Sequence, residues 1–513
     1  MGRVTVFAID GCPHCIRAKE NLKQRNIAYT EINLTAHPEK RSDMLSLSDS
    51  LTVPRIFFNN EHIGGAKETI ELLEKLDQQG SAKETIEKKY ILGEETLDPR
   101  LEPSTKPAFQ VTPPLPRDED DMIKLPNGDK MTVLAMTQKL MENLPVYDLG
   151  YMGKTYKNAT RGKNVVDALE SIFSLDRKEA LDFGKYLQER HILDHVTGDH
   201  VLSDDKNFYF RLQTYQQLDV LNSFRVWTDR VDPDYMGTVA RFSKSMSRIH
   251  SRCTVEGGDI DLTAATKDKE YPKFEEEICE LQGIKMDEMS RDAKTAFLIN
   301  VYNLLIKYAF IKVGVPSSDL KRAAFFTQVK CDIGGEKYSF NDIENGILRG
   351  NAKAPYNLKT QFKSSGDPRT RHSLDKVDHR IHFALNCGAR SCPPVKKFSV
   401  ADLDEELRIV AMAFCEQDEN CGVYPDKNEI RLSTIFKWYR VDFADSTKNL
   451  PKALVKYLRK DKKAALQKML DGKKSISVKF NTYDWSSNVT NVREFETSNL
   501  KSDVTPLSSI FGL

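Results

Sequence analysis

Cys12 and Cys15 are separated by two residues at the start of a helical pattern, a spacing suited to thiol chemistry. Residues 3–9 (RVTVFAI) are typical of a strand, and the CIRAKENLKQR segment that follows is typical of a helix. A thiol at a helix N-terminus faces unpaired N–H groups and the positive end of the helix dipole. Both stabilise the thiolate, which is the nucleophile in disulfide exchange, and lower the pKa of CxxC cysteines from ~8.5 to ~3.5–7.5. Cys15 lies one turn later on the same face, as a resolving thiol should.

Two alternatives to a redox role for this cysteine pair are a zinc site and structural packing. Zinc normally takes four ligands, commonly from two CxxC pairs, and the chain has no second CxxC. His14 and His37 are nearby in sequence, but their spacing fits no zinc pattern. The remaining alternative is that both cysteines only pack in a core. We therefore predict a redox pair and expect no metal.

The composition limits the class of protein. A chain of 513 residues is too long for one hydrophobic core, so we expect roughly two to four domains. Hydrophobic residues make up 40% and charged residues 29%, as in soluble globular proteins. A net charge of +1 gives no global field that would favour nucleic acid, so no nucleic-acid partner is expected. Nine scattered cysteines and an N-terminus without a long apolar segment favour a cytoplasmic protein.

The most apolar long segment, residues 296–314, is long enough to cross a membrane. Polar residues interrupt it, and each charge at the centre of a membrane helix costs ~2.5–3.5 kcal/mol. We therefore predict a buried helix of a soluble domain. The interrupting residues are Asn300, Asn303, Lys307 and Lys312.

The first eighty residues predict a small α/β domain. A second strand is expected near AYTEINL, and TVPRIFFNNEHIGG is typical of a strand, a turn and another strand. KETIELLEKL has helical spacing, which completes a βαβ…ββα order. Residues 81–129 are expected to hold a charged helical segment and a proline-rich, semi-rigid linker.

Three motifs in residues 3–76 occur in the order and spacing of one known family. They are GCPHC after the first strand, Thr52-Val53-Pro54 before a later strand, and Gly64-Gly65 before the last helix. Through them the domain resembles a glutaredoxin. The resemblance implies a thioredoxin fold that uses glutathione as co-substrate, without a metal. Cys12 would attack the disulfide or accept the glutathionyl group, and Cys15 would resolve an intramolecular disulfide.

The same resemblance implies a glutathione site at Thr52, Val53, Pro54, Gly64 and Gly65. Pro54 would be cis, so that the Val53 backbone pairs with the glutathione backbone. The glycines would let backbone N–H groups approach a glutathione carboxylate at the helix start. The alternatives are a trans proline in a loop and a simple glycine turn.

Some positions depart from the family pattern. Ile9 stands where many glutaredoxins have a basic residue, and Lys67 stands among positions that are often acidic. Asp10, beside the site, would disfavour a thiolate. Ile9 and Lys67 favour a rival hypothesis, an intracellular signalling scaffold whose glutaredoxin-like domain senses redox state or binds without turnover. Both cysteines are present, which favours an enzyme.

Residues 130–214 predict amphipathic helices and a short hairpin, and they resemble a DEP domain, a small winged-helix-like module. The resemblance implies a signalling adaptor that docks to a protein partner or an anionic membrane. Residues 151–165 carry four basic and no acidic residues, which would suit an anionic leaflet, although a solvated loop has the same composition. The resemblance rests on Tyr156, Gly162, the Val165-Val166-Asp167 run, EALDFGKYLQERHIL and NFYFRL.

Residues 225–488 resemble the domain of unknown function numbered 547, and we expect a large mixed α+β domain. The resemblance rests on AFLINVYNLLIKY, FNDIENGILRG, DHRIHFALNCGARSCPPV, LSTIFKWYRVDF and YDWSSN. The IHFALNCG segment is expected to be a strand that ends at Asn386, where Cys387 and Gly388 open a turn. The polar residues 489–513 are expected to form a loose tail. The whole chain is thus predicted to be a multidomain protein of α/β and α+β class.

A second candidate site lies in this C-terminal domain. Asn300, Glu344, His382 and Cys387 have the residue types of a Cys–His hydrolase. The alternative is that Asn300, Asn303 and His382 form a satisfied polar core network without catalysis. A metal site is the third alternative, although its spacing fits no zinc pattern. Its ligands would be His379, His382, Cys387 and Cys392.

Overall fold

The structure is a computed structural model whose described residues fall into two compact units. One unit comprises residues within 1–112, 379–384 and 391–484, and the other comprises residues within 113–378, 385–390 and 485–513. The C-terminal domain therefore contributes to both units. The described residues are 3–9, 12–34, 36–37, 39–48, 50, 52–89, 96–105, 122–228, 231–355, 357, 359–363, 366–393 and 395–504.

The N-terminal domain has a four-stranded sheet in the order β2-β1-β3-β4. Strand β1 is parallel to β2 and antiparallel to β3, and β4 is antiparallel to β3. This is the thioredoxin fold, and the predicted βαβ…ββα order is confirmed; helix α2 was not predicted. The elements are β1 (Val4–Ala8), α1 (Pro13–Gln24), β2 (Tyr29–Asn33), α2 (Lys40–Ser48), β3 (Arg55–Phe58), β4 (Glu61–Gly64), α3 (Ala66–Gln78) and α4 (Ala82–Lys89).

Every residue of β1 is buried, because side chains on both faces of the sheet pack in a core. Val6 and Leu22 belong to one cluster, and Phe7 and Phe57 belong to the other. Leu101, at the end of a short 3-10 helix, is fully buried in this second cluster. The first part of the predicted linker is therefore attached to this core through Leu101. Its residues 106–121 lie outside the described residues.

The DEP-like region is built on a sheet in which β8 is central, with β7 on one side and β10 on the other. Strands β9 and β10 are antiparallel, which confirms the predicted hairpin. Val165, Leu169, Phe183 and Leu187 have helical spacing and meet in the core. The elements are β5 (Ile123–Lys124), β6 (Lys130–Met131), α5 (Val133–Asn143), β7 (Tyr147–Tyr151), β8 (Lys154–Arg161), α6 (Gly162–Phe173), α7 (Arg177–Glu189), β9 (Leu193–His195) and β10 (Tyr209–Leu212).

The C-terminal region is largely helical, with short strand pairs. Its elements in the second unit are α8 (Tyr235–Arg252), β11 (Ile260–Asp261), α9 (Leu262–Thr266), α10 (Tyr271–Glu277), α11 (Arg291–Val313), α12 (Asp319–Gln328), β12 (Lys330–Ile333), β13 (Glu336–Ser339) and a π-helix (Asp342–Leu348). Those in the first unit are α13 (Leu403–Glu416), β14 (Cys421–Tyr424), β15 (Glu429–Leu432), α14 (Ile435–Trp438), α15 (Arg440–Phe443), α16 (Leu450–Leu454), α17 (Lys460–Asp471) and β16 (Ser477–Phe480). The last strands, β17 (Val489–Thr490) and β18 (Asp503–Val504), return to the second unit.

Helix α11 contains the long apolar segment. Within the described part of the chain it is the one helix that is long and apolar enough to cross a membrane. Its most apolar 18-residue window is 83% buried in the structure. Such burial is expected of a core helix, in agreement with the prediction.

Two predictions for the C-terminal region are wrong. The IHFALNCG segment is not a strand: His379–Phe383 is a 3-10 helix, and consecutive rather than alternate side chains are buried there. Phe383 contacts Phe414, Phe436 and Phe443, so this segment is surrounded by aromatic rings instead of having one solvated face. The polar tail is not loose over residues 489–504, since β17 pairs with β11 and β18 pairs with β8. Residues 505–513 lie outside the described residues.

Candidate active site in the N-terminal domain

The sheet brings the three predicted motifs of the N-terminal domain to one edge. Strand β1 runs towards Cys12, and the antiparallel β3 begins directly after Pro54. Strand β4 runs antiparallel to β3 and ends at Gly64, which pairs with Ile56. Ends of strands that alternate in this way lie at the same edge of a sheet. The register of β3 therefore places the motifs together.

Cys12 is the N-cap of helix α1, with extended backbone angles and with Pro13 at the start of the helix. The Cys15 N–H donates a hydrogen bond to Cys12 Sγ, at 3.2 Å. Cys12 is 9% exposed, whereas Cys15 has no exposed surface. Of the two thiols, Cys12 is therefore the more accessible to a disulfide, and its predicted role as the nucleophile stays a prediction.

Electrostatics divide the two thiols into a thiolate and a thiol. The hydrogen bond from the Cys15 thiol and that from its backbone N–H, with the nearby charge of His14, lower the pKa of Cys12 to about 6 against the opposing effect of burial. The hydrogen bond to Cys12, together with burial, raises the pKa of Cys15. At pH 7 a group with a pKa of about 6 is about nine-tenths ionised. Cys12 is thus a thiolate near neutral pH, with the Cys15 thiol as its donor.

The Thr52-Val53-Pro54 segment has the predicted cis peptide bond, between Val53 and Pro54. Pro54 is buried, Val53 is half-buried and Thr52 is exposed. Arg55 Nε donates to the Thr52 carbonyl at 2.9 Å, and the same guanidinium contacts the Thr52 hydroxyl. The sequence analysis did not assign a role to Arg55, which lies directly beside the predicted site.

The glycine pair forms a tight turn into helix α3. Gly64 has a φ of +135°, and a Cβ atom there would lie 2.8 Å from Glu68 Cβ. The Gly65 N–H donates to Glu68 Oε2 at 3.0 Å, so an internal carboxylate takes the position expected for a glutathione carboxylate. Backbone N–H groups of Glu68 itself and of Gly65, with the charge of Arg55, lower the pKa of the Glu68 carboxyl. The Gly65 N–H is thus paired with the Glu68 carboxylate, and glutathione binding at Gly64 and Gly65 stays a prediction.

A charged cluster from the C-terminal domain accompanies this site within the same unit. Lys396 lies close enough to Cys12 and Cys15 for their charges to interact. Burial, with the charge of Arg41, lowers the pKa of Lys396 to about 8, and the two thiols oppose this shift. The Ser399 N–H donates to Glu406 Oε2 at 2.7 Å. Sequence reasoning missed Lys396, because no local pattern connects it with residues so distant in the chain.

At the other end of this cluster, Glu406 and Arg41 interact through their charges. Glu406 is buried, and its negative charge acts on Arg41 of helix α2. Burial raises the pKa of Glu406 to about 7, against the effects of Ser399 and Arg41. The Ser399 N–H and the charge of Arg41 thus both act on the Glu406 carboxylate.

Replacing Lys396 by Gln is expected to raise the pKa of Cys12 by about half a unit, because a nearby positive charge favours a thiolate. Lys396 is protonated below about pH 8, so its effect covers the range in which Cys12 ionises. The measurement is the pH dependence of iodoacetamide alkylation of Cys12 in the full chain. Lys397→Gln is the matched control. Equal shifts in both variants would show that Lys396 has no specific effect.

His382 has a partner that the sequence analysis missed. His382 Nε2 lies 2.8 Å from Asp442 Oδ2, and both side chains are buried. The ring of Tyr439 stacks on the His382 ring with centroids 3.8 Å apart. Asp442 lies in the RVDF segment of one of the family motifs, but nothing in the sequence pairs it with His382. This buried pair has the geometry of a base and the group that orients it.

Asn300, Glu344 and Cys387 lie in the other unit. Asn300 is in α11, and Glu344 is in the π-helix, where Tyr302 OH donates to its Oε2 at 3.3 Å. The loop that carries Cys387 is held to α11 through Asn303, whose Oδ1 accepts the Asn386 N–H at 2.8 Å. Helix α11 thus contacts both segments, with Tyr302 and Asn303 as the contacting residues.

No group of three or more His, Cys, Asp or Glu side chains within the described ranges is arranged to hold a metal ion. Two members of the predicted metal set have other partners. His379 Nε2 lies 2.6 Å from Tyr457 OH, and Cys392 Sγ lies 3.1 Å from Tyr483 OH.

Three family models match the chain in consecutive segments. Residues 4–63 match the model described as Glutaredoxin. Residues 143–212 match the domain found in Dishevelled, Egl-10 and Pleckstrin (DEP), and residues 286–415 match DUF547, a protein family of unknown function. The three predicted resemblances and their order are confirmed.

Individual relatives match the first domain. The chain is 34% identical to glutaredoxin 3 of Escherichia coli (strain K12) over 80 residues, which is 16% of this chain and 92% of that protein. It is 34% identical to a glutaredoxin of Pseudomonas aeruginosa over 84 residues, which is 16% of this chain and 100% of that protein.

Two solved structures also match. A crystal structure of glutaredoxin 1 from Francisella tularensis, complexed with cacodylate, is 28% identical and has a TM-score of 0.14, covering 15% of this chain and 99% of that chain. A solution structure of glutaredoxin from Brucella melitensis is 31% identical and has a TM-score of 0.14, covering 16% of this chain and 87% of that chain. Through its N-terminal domain, to which a DEP domain and a DUF547 domain are joined, the chain belongs to the glutaredoxin family.

Proposed function

We propose that this protein is a glutathione-dependent thiol-disulfide oxidoreductase of the dithiol type, acting in the cytoplasm. The observation that carries the proposal is the Cys12–Cys15 pair, in which a slightly exposed thiolate accepts hydrogen bonds from a buried thiol residue. A stabilised, accessible thiolate is what disulfide exchange needs. The fused DEP domain would direct this chemistry to a protein or membrane site, since such domains are docking modules.

Because the pKa of Cys12 is lowered and that of Cys15 is raised, Cys12 would react first and Cys15 second. The Cys12 thiolate attacks one sulfur of a substrate disulfide, forms a mixed disulfide and expels the other sulfur as a thiolate. Cys15 loses its proton, attacks Cys12 Sγ and releases the second substrate thiolate, which leaves a Cys12–Cys15 disulfide. Two glutathione molecules then reduce this disulfide and leave as oxidised glutathione. With a glutathionylated substrate, Cys12 takes the glutathionyl group and a second glutathione removes it.

Glutathione would bind along the edge formed by Thr52, Val53, Pro54, Gly64 and Gly65. The half-buried Val53 offers its backbone beside the buried cis-proline. A glutathione carboxylate at the start of α3 would have to displace the Glu68 carboxylate from the Gly65 N–H. This competition supplies a physical reason for weak or tunable glutathione affinity.

The pH dependence of Cys12 alkylation tests the thiolate directly. The rate with iodoacetamide is expected to rise about tenfold per pH unit below pH 6 and to level off above pH 7, because only the thiolate reacts. The midpoint should lie near pH 6, the value to which the Cys15 hydrogen bond lowers the pKa of Cys12. Mass spectrometry of the labelled peptides assigns the reacting residue. A midpoint above pH 8 would contradict an activated thiolate.

The scaffold hypothesis makes the opposite prediction for turnover. If the glutaredoxin domain only senses redox state, the full chain will form the Cys12–Cys15 disulfide but show no glutathione-coupled reduction of a model disulfide. Steady-state turnover that depends on glutathione would exclude it. The coupled assay therefore separates the two functions whatever the DEP domain binds.

The Cys–His hydrolase stays a prediction for the C-terminal domain, and the buried His382–Asp442 pair favours it. A nucleophilic Cys387 is expected to react at least about tenfold faster with an electrophilic thiol probe than Cys415 or Cys421. Cys387 is half-buried, whereas Cys415 and Cys421 are fully buried. Labelling of Cys387 no faster than that of Cys415 or Cys421 would end the hypothesis.

A further inference from the structure

Strand β8 of the DEP domain is paired with different segments on its two sides. Strand β7 pairs with one side, at residues 154–159. On the other side, β10 pairs with residues 160 and 161, and β18 pairs with residues 155 and 156. Strand β18 therefore pairs with the first half of β8, which β10 does not cover. It comes from the C-terminal end of the described chain, far from the DEP domain in sequence.

A buried arginine lies at this place. The Arg211 side chain is 1% exposed, and Asp503 supplies the carboxylate against it, with Nη2 2.8 Å from Asp503 Oδ1. Arg211 also donates to the Lys157 carbonyl at 2.9 Å, to Gln216 Oε1 at 3.2 Å and to the Ser502 carbonyl at 3.2 Å. A guanidinium stays charged in proteins, and a buried charge without a counter-ion is strongly unfavourable. The site beside Arg211 therefore favours a segment that, like residues 502–504, carries a carboxylate.

The remaining contacts are mostly to the backbone of the segment. The Lys157 N–H donates to the Ser502 carbonyl at 2.8 Å, and Lys157 Nζ donates to the Ser498 carbonyl at 2.7 Å. Lys154 Nζ lies 3.9 Å from Asp503 Oδ2. Backbone pairing and one carboxylate account for these contacts, so many extended sequences with a suitably placed acidic residue would satisfy them.

The segment before β18 is attached separately. Phe495 is fully buried, and its ring meets Phe325 of α12 edge-on with centroids 5.2 Å apart. Lys321 Nζ lies 2.7 Å from Glu494 Oε1 and 2.5 Å from Glu496 Oε1. These contacts do not involve β8. Leu500, at the end of a short 3-10 helix, is also buried. Residues 502–504 can therefore leave the DEP sheet while the chain before them stays in place.

We propose that the edge of β8 beside Arg211 is a recognition site for an extended, acidic segment of a partner protein, and that residues 502–504 are its resident occupant. The partner would add a strand to β8 and place a carboxylate against Arg211. Charge complementarity supports an acidic partner, since Arg211, Lys154 and Lys157 all face the occupied place. A segment without a carboxylate would leave the buried guanidinium uncompensated.

The test uses a chain that ends at Glu496 and a control chain that ends at Val504, which keeps β18. The probe is a fluorescein-labelled peptide of residues 497–504 (TSNLKSDV), and binding is followed by fluorescence anisotropy. We expect the shorter chain to bind at least about 30-fold more tightly than the control chain, whose site is filled. The peptide with Asp503→Asn should lose at least about tenfold in affinity, because it leaves Arg211 without a charge partner.

Equal binding of the peptide to both chains would overturn the proposal, and so would equal affinity for the Asp503→Asn peptide. Binding of the shorter chain to phosphatidylserine vesicles, without binding of the peptide, would also overturn it. If the shorter chain does not fold, the full-length Asp503→Lys variant serves instead, since a lysine beside Arg211 should release the strand. That variant is then expected to bind the peptide more tightly than the wild-type chain does.

Discussion

Replacing Cys12 by Ser is expected to abolish glutathione-dependent disulfide reduction by the full chain, with a loss of more than about 1000-fold in kcat/KM. A serine hydroxyl does not ionise near neutral pH, so the helix N-terminus and the hydrogen bonds from Cys15 then have no thiolate to stabilise. Cys15→Ser should have a different effect. It removes the resolving thiol but leaves the nucleophile, so removal of glutathionyl groups should persist while reduction of dithiol-type disulfides falls.

Cys253→Ser is the matched control for this experiment. Cys253 is 8% exposed, close to the 9% of Cys12, but burial raises its pKa. The control should therefore keep full activity. Turnover measured by coupling to glutathione reduction decides the result. If Cys12→Ser retained wild-type turnover, the thiolate proposed here would not be the nucleophile.

Replacing Gly64 by Ala is expected to destabilise the turn into α3 by about 2–4 kcal/mol and to raise the KM for glutathione. Two causes add. The φ of +135° disfavours any Cβ, and the new atom would lie 2.8 Å from Glu68 Cβ. Glu68 competes with glutathione for the Gly65 N–H, so the increase in KM would come from the displaced backbone of the turn and not from the movement of Glu68. Hydrogen exchange of the β3 and β4 amides reports the local stability.

Gly80→Ala separates the two causes. Gly80 has a φ of +148°, but a Cβ there would meet no atom within 4 Å. It shares the backbone strain without the clash, so we expect a loss of only about 1–2 kcal/mol and no change in the KM for glutathione. Equal effects of both substitutions would mean that the contact with Glu68 is unimportant.

The N-terminal site could be predicted from the sequence because its parts are local. Each motif carries its own backbone requirement: Cys12 precedes a helix, Pro54 precedes a strand, and Gly64 needs a φ that other residues avoid. The alternating directions of β1, β3 and β4 then place the three motifs at the same end of the sheet. The roles of Thr52 and Val53 in binding glutathione stay predictions, since no ligand contact has been observed.

In the C-terminal domain, secondary structure and side-chain partners depend on tertiary packing, so the sequence pattern predicted them less well. Aromatic rings surround Phe383, so the 3-10 helix there cannot be distinguished from a strand by alternation. The acidic partner of His382 is Asp442, sixty residues later in the chain, and no spacing rule connects them. Asn303 Oδ1 accepts the Asn386 N–H beside Cys387, a contact that the apolar pattern of α11 did not reveal.

By itself, the sequence determined the fold of the first domain, its cysteine pair at a helix start, and the identity and order of the three domains. Local backbone requirements and motif spacing are sufficient for these. The tertiary structure alone decided which distant charges accompany the site and which segments pair. Lys396 approaches Cys12, and Asp503 neutralises the buried Arg211, across hundreds of intervening residues. Charges interact according to their distance in space, so the folded structure, and not separation along the sequence, determines which charges are partners.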